Sequence, residues 1–566
     1  MNSKVAGAVG LGWAISLFIA LPVFGQAVTD RPDRPAPSTR RPERPDDPPG
    51  RPAPWGTGAR SAPVARGTFV SVQVNRDPLG NNIPGDAANE PSIAVDPLKP
   101  QKMAIGWRQF DTVASNFRQA GVAHTLDGGQ TWIYLGVLDP GQFRSDPVLA
   151  SDAVGNFYYM SLSSVTTAEE FKSTDSGVSW PTLTPAFGGD KEWMTIDRTN
   201  GIGSGNIYEI WNVQFSCCGS NDFTRSTDGG LSFEGPFALP QPSMKWGTLD
   251  VGPDGTLYAA GASLDQSVHL FTKSTTARDP SLTPTFAPVQ TINLGGFTTT
   301  GGPNPSGLLG QVWVATDHSN GPTQGNLYVL GSVNPPGSDP LDVMFIRSED
   351  DGATWSAPVR INDDPFGTNA YQWLGTLAVA PNGRIDVVWL DTRLNPNGNF
   401  SELYYAYSLD AGVTWTANIP LTPAFNHTLG YPNQNKMGDY FHMVSMDSGA
   451  NLAYAATFNG EQDVYFLHIA PDCNGNGIHD GTDVLAGTSL DCNGNAVPDD
   501  CEFPGCPGIL PADMNCDGAL TGDDIQRFVD VFTAAGYTCQ ADMPPQDGIV
   551  DDNDVAPFVA ALIAAP

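Results

Sequence analysis

An eight-residue phrase, S-x-D-x-G-x-[TS]-W, recurs along this chain and constrains its fold more than any other feature. It reads STDSGVSW from Ser173 to Trp180, SEDDGATW from Ser348 to Trp355 and SLDAGVTW from Ser408 to Trp415. Looser copies are TLDGGQTW at Thr125 to Trp132 and STDGGLSF at Ser226 to Phe233. Each copy follows one apolar run and precedes another, which predicts a hairpin tip. The Asp side chain can accept backbone N–H groups inside such a turn, and the Gly supplies a positive φ. The Trp then folds back as an apolar plug between neighbouring sheets. The spacing is irregular but blade-sized, the signature of an internal repeat.

Short strands separated by Gly, Pro and Asn turns fill the chain from Gly67 onward, as an all-β fold requires. Seven units are countable by their opening strands: EPSIAV at Glu90, DPVLAS at Asp146, EWMTID at Glu192, KWGTLD at Lys245, LGQVWV at Leu309, WLGTLAV at Trp373 and DYFHMV at Asp439. The fourth unit has only a degraded phrase around Thr272 to Phe286, and the seventh ends at DVYFLHI, Asp463 to Ile469, with no fourth strand. The orphan strand TFVSVQVN, Thr68 to Asn75, resembles the strands that follow the repeated phrase. It is predicted to complete the last unit and close the ring, which removes the exposed edges of an open sheet.

The repeated phrase resembles the Asp-box of the sialidase-like β-propellers, and the resemblance spans 67–470. It implies a seven-bladed propeller here, with the six-bladed sialidase ring as the alternative count. It carries the fold further than the activity, since the phrase also occurs in propellers that are not sialidases. Sialidases grip a substrate carboxylate with three converging arginines, the first in an F-R-I-P phrase; the corresponding TFVSVQVN has no Arg. Arg225 and Arg347 directly precede repeats and read as structural. Arg108, Arg144 and Arg393 remain as channel candidates for substrate binding. Tyr440 beside Asp439 is the candidate for the Tyr nucleophile that the resemblance implies.

In a propeller the first strand of each blade lines the central channel. Aligning the seven openings puts Glu90, Asp146, Glu192, Lys245 and Asp439 at one equivalent position, with Leu309 and Trp373 in the other two blades. Several carboxylates facing one channel repel each other, which raises a pKa and can supply a general acid beside an ionised base. Glycoside hydrolysis uses such a pair. Glu90, Asp146, Glu192, Asp439 and Tyr440 are therefore the catalytic candidates, with Lys245 and Trp373 joining the arginines as substrate-binding candidates. Trp107, Trp193, Trp211, Trp246 and Trp389 are either sugar-stacking platforms or core. GxSxG, HExxH and P-loop motifs are absent.

The ends of the chain address its location. Lys4, an apolar run from Val5 to Phe24 and then Gly25-Gln26-Ala27 form a secretory signal over 1–27, with an uncleaved anchor as the alternative. Residues 28–66 are rich in Pro and Arg and predict an extended tether. A net charge of −33 excludes nucleic acid as the main partner. Cys217-Cys218 form either a vicinal disulfide or two separate thiols, and the other six cysteines sit in the last hundred residues, reading as disulfides in an exported chain.

From 471 to 502 oxygen side chains fall at calcium-loop spacing: Asp472, Asn474, Asn476, Asp480 and Asp483, then Asp491, Asn493, Asn495, Asp499 and Glu502. Over 503–566 the spacing returns at Asp513, Asn515, Asp517, Thr521 and Asp524, and in altered form at Asp542, Asp547, Asp551 and Asp554. Ile525, Phe528, Val529 and Phe532 then form one apolar helical face, repeated by Val555, Phe558, Val559 and Leu562. The first stretch resembles thrombospondin calcium repeats and the second a dockerin module. That resemblance implies Ca2+ and a cohesin-like or cell-surface partner, but the Ser/Thr pairs typical of dockerin recognition are replaced by Gly522-Asp523 and Asp552-Asn553. Two functions compete. One is a secreted propeller that binds an extracellular glycan or protein; the other is a glycoside hydrolase or lyase acting on polysaccharide, with sialidase activity itself not expected.

Overall fold

The computed structural model describes residues 47–471 continuously. Beyond them it describes residues 480, 483–484, 488–489, 498, 512, 514, 520–533, 541, 543 and 550–564. The repeats build seven antiparallel sheets. Six are contiguous in sequence and span 87–138, 145–185, 193–237, 244–292, 313–360 and 372–420; they are blades 1 to 6. The seventh combines His442–Met446, Gly449–Ala456 and Asp463–Ile469 with Phe69–Gln73. The seven-bladed count and the closing strand are thus as the sequence predicts. Ser71 pairs with Leu467, Val72 with Phe466 and Gln73 with Tyr465. One further strand, Val64–Arg66, extends that sheet outward from within the Pro/Arg-rich stretch.

The repeated turns show why the phrase needs its residues. In the copy at Ser173, the Ser Oγ donates to Asp175 Oδ1 at 2.8 Å and accepts the Gly177 N–H at 2.9 Å. Asp175 accepts the N–H of Ser179 at 2.9 Å and its hydroxyl at 2.6 Å. The same four bonds recur around Asp350 and Asp410. The Gly, at φ +79° in Gly412, lies so close to the preceding blade that a Cβ would sit 2.3 Å from Phe345. The Trp packs there too: Trp415 against Phe345, Trp355 against Phe271 and Trp132 against Phe466. The plug joins one blade to the one before it, across the ring closure as well as within the ring.

The innermost strands each start with a kink. Glu90, Asp146, Trp246 and Leu374 have φ between +48° and +55°, and in each of these blades two inner residues oppose one on the second strand. This is a β-bulge with its first residue left-handed. Lys191, Gly310 and Gly438 take positive φ in the other three blades. The equivalent position is therefore Glu90, Asp146, Lys191, Trp246, Gly310, Leu374 and Gly438, which corrects the sequence alignment by one residue in five blades. A bulge slips the alternation by one residue, but these inner strands are buried along nearly their whole length, so there is no in–out alternation in which the slip would show.

In the C-terminal part, helices α1 (Asp523–Thr533) and α2 (Asp552–Ala564) meet through Phe528 and Phe558, stacked at 3.9 Å. The predicted apolar face splits. The two phenylalanines are buried, whereas Ile525, Val529, Val555 and Val559 are exposed. An i, i+3, i+4, i+7 stripe is wide, and one partner helix covers only part of it. Among the described residues no helix is long and apolar enough to cross a membrane.

Candidate functional site

The channel has two unlike ends. At the upper end, where the inner strands begin, Glu90, Asp146 and Asp439 converge, the first two at the bulges of blades 1 and 2. Lys191 lies among them, with its Nζ 2.6 Å from Asp439, 2.8 Å from Asp146 and 3.7 Å from Glu90. Lys436 reaches Asp439 at 2.7 Å and Glu90 at 3.2 Å, and Arg108 reaches Glu90 at 3.2 Å. All six side chains are buried. Three carboxylates and three cations make the cluster formally neutral, the condition under which charges tolerate burial.

Burial pushes the Glu90 carboxyl up to about 8 against the pull of Arg108, Lys191 and Lys436. Burial also acts to raise Asp439, but Lys191 and Lys436 hold it well below the usual range. Burial alone would lower Lys191; Asp146, Asp439 and Glu90 instead raise it well above its ordinary value.

A hairpin from the blade 4–5 connection, Thr300–Gly301 with Asn304–Leu308, reaches across this end. The Leu308 N–H donates to Asp439 at 2.8 Å, and Asn304 bonds the backbone of Met437 and Gly438. The inner strands of blades 4, 5 and 6 also bond directly, Val312 N–H to Trp246 and Leu374 N–H to Leu309.

The remaining predicted site residues lie apart from this cluster or serve packing. Tyr440 is buried and donates its hydroxyl to the Pro147 carbonyl at 2.8 Å; burial, with Glu90 and Asp146 nearby, raises its pKa well above the ordinary value. Arg144 pairs with Asp139 and Glu169, and Arg393 with Asp391 and Asp363, so the three candidate arginines are held by separate carboxylates. Lys245 lies over its neighbour Trp246, 4.0 Å from the ring. Trp373 is buried and bonds Ser401. Trp107 and Trp389 are core residues bonded to Gln109 and Asp391. Of the proposed calcium ligands, Asp480, Asp483, Thr521, Asp524, Asp551 and Asp554 are described; the others lie outside the described residues. Asp524 takes the N–H groups of Met514 and Thr521, and Asp554 those of Met543 and Asp551, so the two loops repeat one another. Cys217 and Cys218 are joined as a vicinal disulfide on a blade 3 loop.

Glu192 belongs to a different group. It, Glu209 and Glu170 are buried between blades 2 and 3, and neither oxygen of any of the three has a hydrogen-bond partner among the described residues. Burial raises all three, Glu170 to about 8. A folded-state pKa above the unfolded one means that the fold holds the proton more tightly. The stability this gives is fully present at low pH and is lost as pH rises from about 4.5 through about 8. Glu170→Gln, which mimics the neutral acid, is expected to raise stability at pH 8 by roughly 2–4 kcal/mol and leave it nearly unchanged at pH 4. Urea denaturation at the two pH values measures this, and an equal effect at both contradicts it.

Below the charge cluster the axis is filled by an aromatic layer. Trp193 meets Trp313 at 5.0 Å, Tyr440 at 5.2 Å and His442 at 5.3 Å, joining blades 3, 5 and 7 across the centre. Beneath it lies a cavity of about 370 Å³, lined by the second halves of all seven inner strands and running toward the end that carries the repeated turns. Arg198 and His318, both exposed, stand in the turns at its lower end. Sequence reasoning missed Lys191 and Lys436 at the upper end and Arg198, His318 and His442 at the lower. For the lysines a signal existed, since each stands within three residues of an opening acid in a chain poor in basic residues.

No protein-family description matches the chain, and no curated protein matches it. Among solved structures it is similar to a protein of unknown function from Dyadobacter fermentans, at 15% identity over 72% of this chain and 100% of the other, with a TM-score of 0.41. It is also similar to YCF48 bound to a D1 peptide, at 14% identity, 74% and 100% coverage and a TM-score of 0.39. A third is an ulvan lyase of polysaccharide lyase family PL25, at 9% identity, 73% and 95% coverage and a TM-score of 0.39. Nothing about activity follows from likenesses of this size.

Proposed function

We propose that this chain is an exported, non-catalytic propeller that binds an extracellular glycan or protein, carried on a calcium-binding, dockerin-like C-terminal module. The observation that carries the reading is the contrast between the channel ends. The acids at the upper end are consumed by Lys191, Lys436 and Arg108 beneath the hairpin, whereas the lower end is an open cavity. A glycosidase needs its two carboxyl groups far enough apart, and wet enough, to admit a sugar or a water between them. The three-arginine grip of a sialidase has no counterpart in the separately paired Arg108, Arg144 and Arg393.

Hydrolysis is the second reading because Glu90, raised to about 8, neighbours the strongly depressed Asp439, an acid–base asymmetry of the catalytic kind. The test is a glycan and protein array alongside product detection on polysaccharides and sialosides. Binding without turnover is expected. Turnover that Asp146→Asn or Glu90→Gln abolishes, with the variants still folded, overturns the non-catalytic reading.

The calcium part of the proposal rests on donor chemistry. Asp480, Asp483, Asp524 and Asp554 are buried carboxylates, the last two in the first turns of α1 and α2, and a hard cation is what such oxygens accommodate. Titrating the chelator-stripped chain with Ca2+ is expected to show saturable binding and protection of the C-terminal part from proteolysis, because binding energy is folding energy in small modules. Identical proteolysis with and without the metal contradicts it.

A further inference from the structure

The lower cavity presents an unpaired cation opposite an apolar, aromatic wall. Arg198 makes no hydrogen bond and no ion pair with any described residue. Asp250 and Asp152 act on it through space, but each takes its hydrogen bonds from other groups. Asp250 accepts the Thr316 N–H at 2.7 Å and hydroxyl at 2.8 Å, and the Val251 N–H at 2.9 Å. Asp152 is bonded by Val154, Asn156 and Tyr158. The guanidinium thus keeps its fork of donors free for an anion, against the opposing charge of those two carboxylates.

The far side of the cavity is fixed by His442. Its Nδ1 accepts the Ile93 N–H at 3.2 Å and lies 2.8 Å from Ser92 Oγ, which itself accepts the Leu149 N–H. An Nδ1 that accepts leaves the proton of the neutral ring on Nε2. Burial holds the ring neutral, its pKa lowered to about 3, with the charge of Arg198 adding to the effect; the two groups therefore act on the same space. The His442 ring is stacked on Trp313 at 5.9 Å and edge-on to Trp193. The cavity thus offers a cation near its mouth and, deeper, an aromatic layer with one N–H donor. Its volume lies toward the small end for ligand sites.

We propose that this cavity binds a small ring-bearing carboxylate, with the carboxylate on Arg198 and the ring against the Trp193–Trp313–His442 layer. A carboxylate matches the planar guanidinium bidentately, and an apolar ring face matches the wall. The inference rests on the cavity being the ligand site of the binding propeller, and it lies at the opposite end of the axis from the acids first considered catalytic. The shared chemistry of ring and carboxylate belongs both to uronic acids and to aromatic acids, so both serve as probes.

The experiment is calorimetric titration of the full chain with glucuronate and with 4-hydroxybenzoate. The neutral analogues methyl glucoside and 4-hydroxybenzyl alcohol, and inorganic phosphate, are the controls. At least one carboxylate is expected to bind below about 10 mM, at least about tenfold more tightly than its neutral analogue and than phosphate, and to lose at least about tenfold in Arg198→Gln. Arg198 is exposed and unpaired, so that variant should retain the wild-type melting temperature. Failure of both carboxylates to bind, equal binding of neutral analogues or phosphate, or affinity unchanged in Arg198→Gln overturns the proposal. None of those results touches the non-catalytic reading, which only turnover overturns.

Discussion

Lys191→Met is expected to destabilise the propeller by about 3–5 kcal/mol, the usual cost of removing one partner from a buried ion cluster. Lys191 lies within 4 Å of Glu90, Asp146 and Asp439 together. Met keeps the length of the stem and leaves the left-handed backbone at this position unchanged in kind, so the loss isolates the ammonium. Two acids that were ionised against it must then take up protons or repel. The effect should therefore shrink at low pH, where protonation relieves the excess negative charge. Denaturant unfolding at pH 7 and pH 4 measures both parts. A loss below about 1 kcal/mol at pH 7 would mean that the cluster is balanced without the lysine.

Removal of residues 1–75 is expected to abolish the folded monomer. The ring closes where Phe69–Gln73 pairs with Asp463–Ile469, supported by the Asn75 side chain bonded to Asp463 and by the Val74 N–H donated to Val464. Without that strand the Asp463–Ile469 strand becomes a seven-residue edge with apolar Val464, Phe466 and Leu467 beside it. Long, apolar, uncovered edges pair with other chains. Size-exclusion chromatography of the truncated chain should show aggregate in place of monomer, while a truncation ending before Val64 should remain monomeric. A soluble, monomeric chain lacking residues 1–75 contradicts closure as a requirement for the fold.

How far the sequence could be read depended on whether a residue's role was local. The turn at Asp175 was legible because its ligands stand within four residues of it, and the same local pattern recurs down the chain. Closure by Thr68 to Asn75 was legible by counting, since one strand lacked a sheet and one sheet lacked a strand. Glu90, Asp146 and Asp439 meet around Lys191, whereas Glu192, aligned with them from the sequence, lies between blades 2 and 3. What they meet there was not legible. Lys436 stands just before the seventh inner strand and Lys191 just before the third, and only the packing of the blades around the axis turns both toward Glu90 and Asp439. The hairpin at Asn304 covers that end by bonding residues more than 130 positions away.

By itself the sequence determined a closed, seven-fold all-β ring, because hydrophobic alternation, turn chemistry and strand number are written in neighbouring residues. The tertiary structure alone decided which end of the ring is sealed and which is open. That depends on the charges meeting at the axis: a formally neutral cluster of six can be buried and covered, whereas Arg198, near Asp250 and Asp152 but ion-paired with neither, stays open to the cavity.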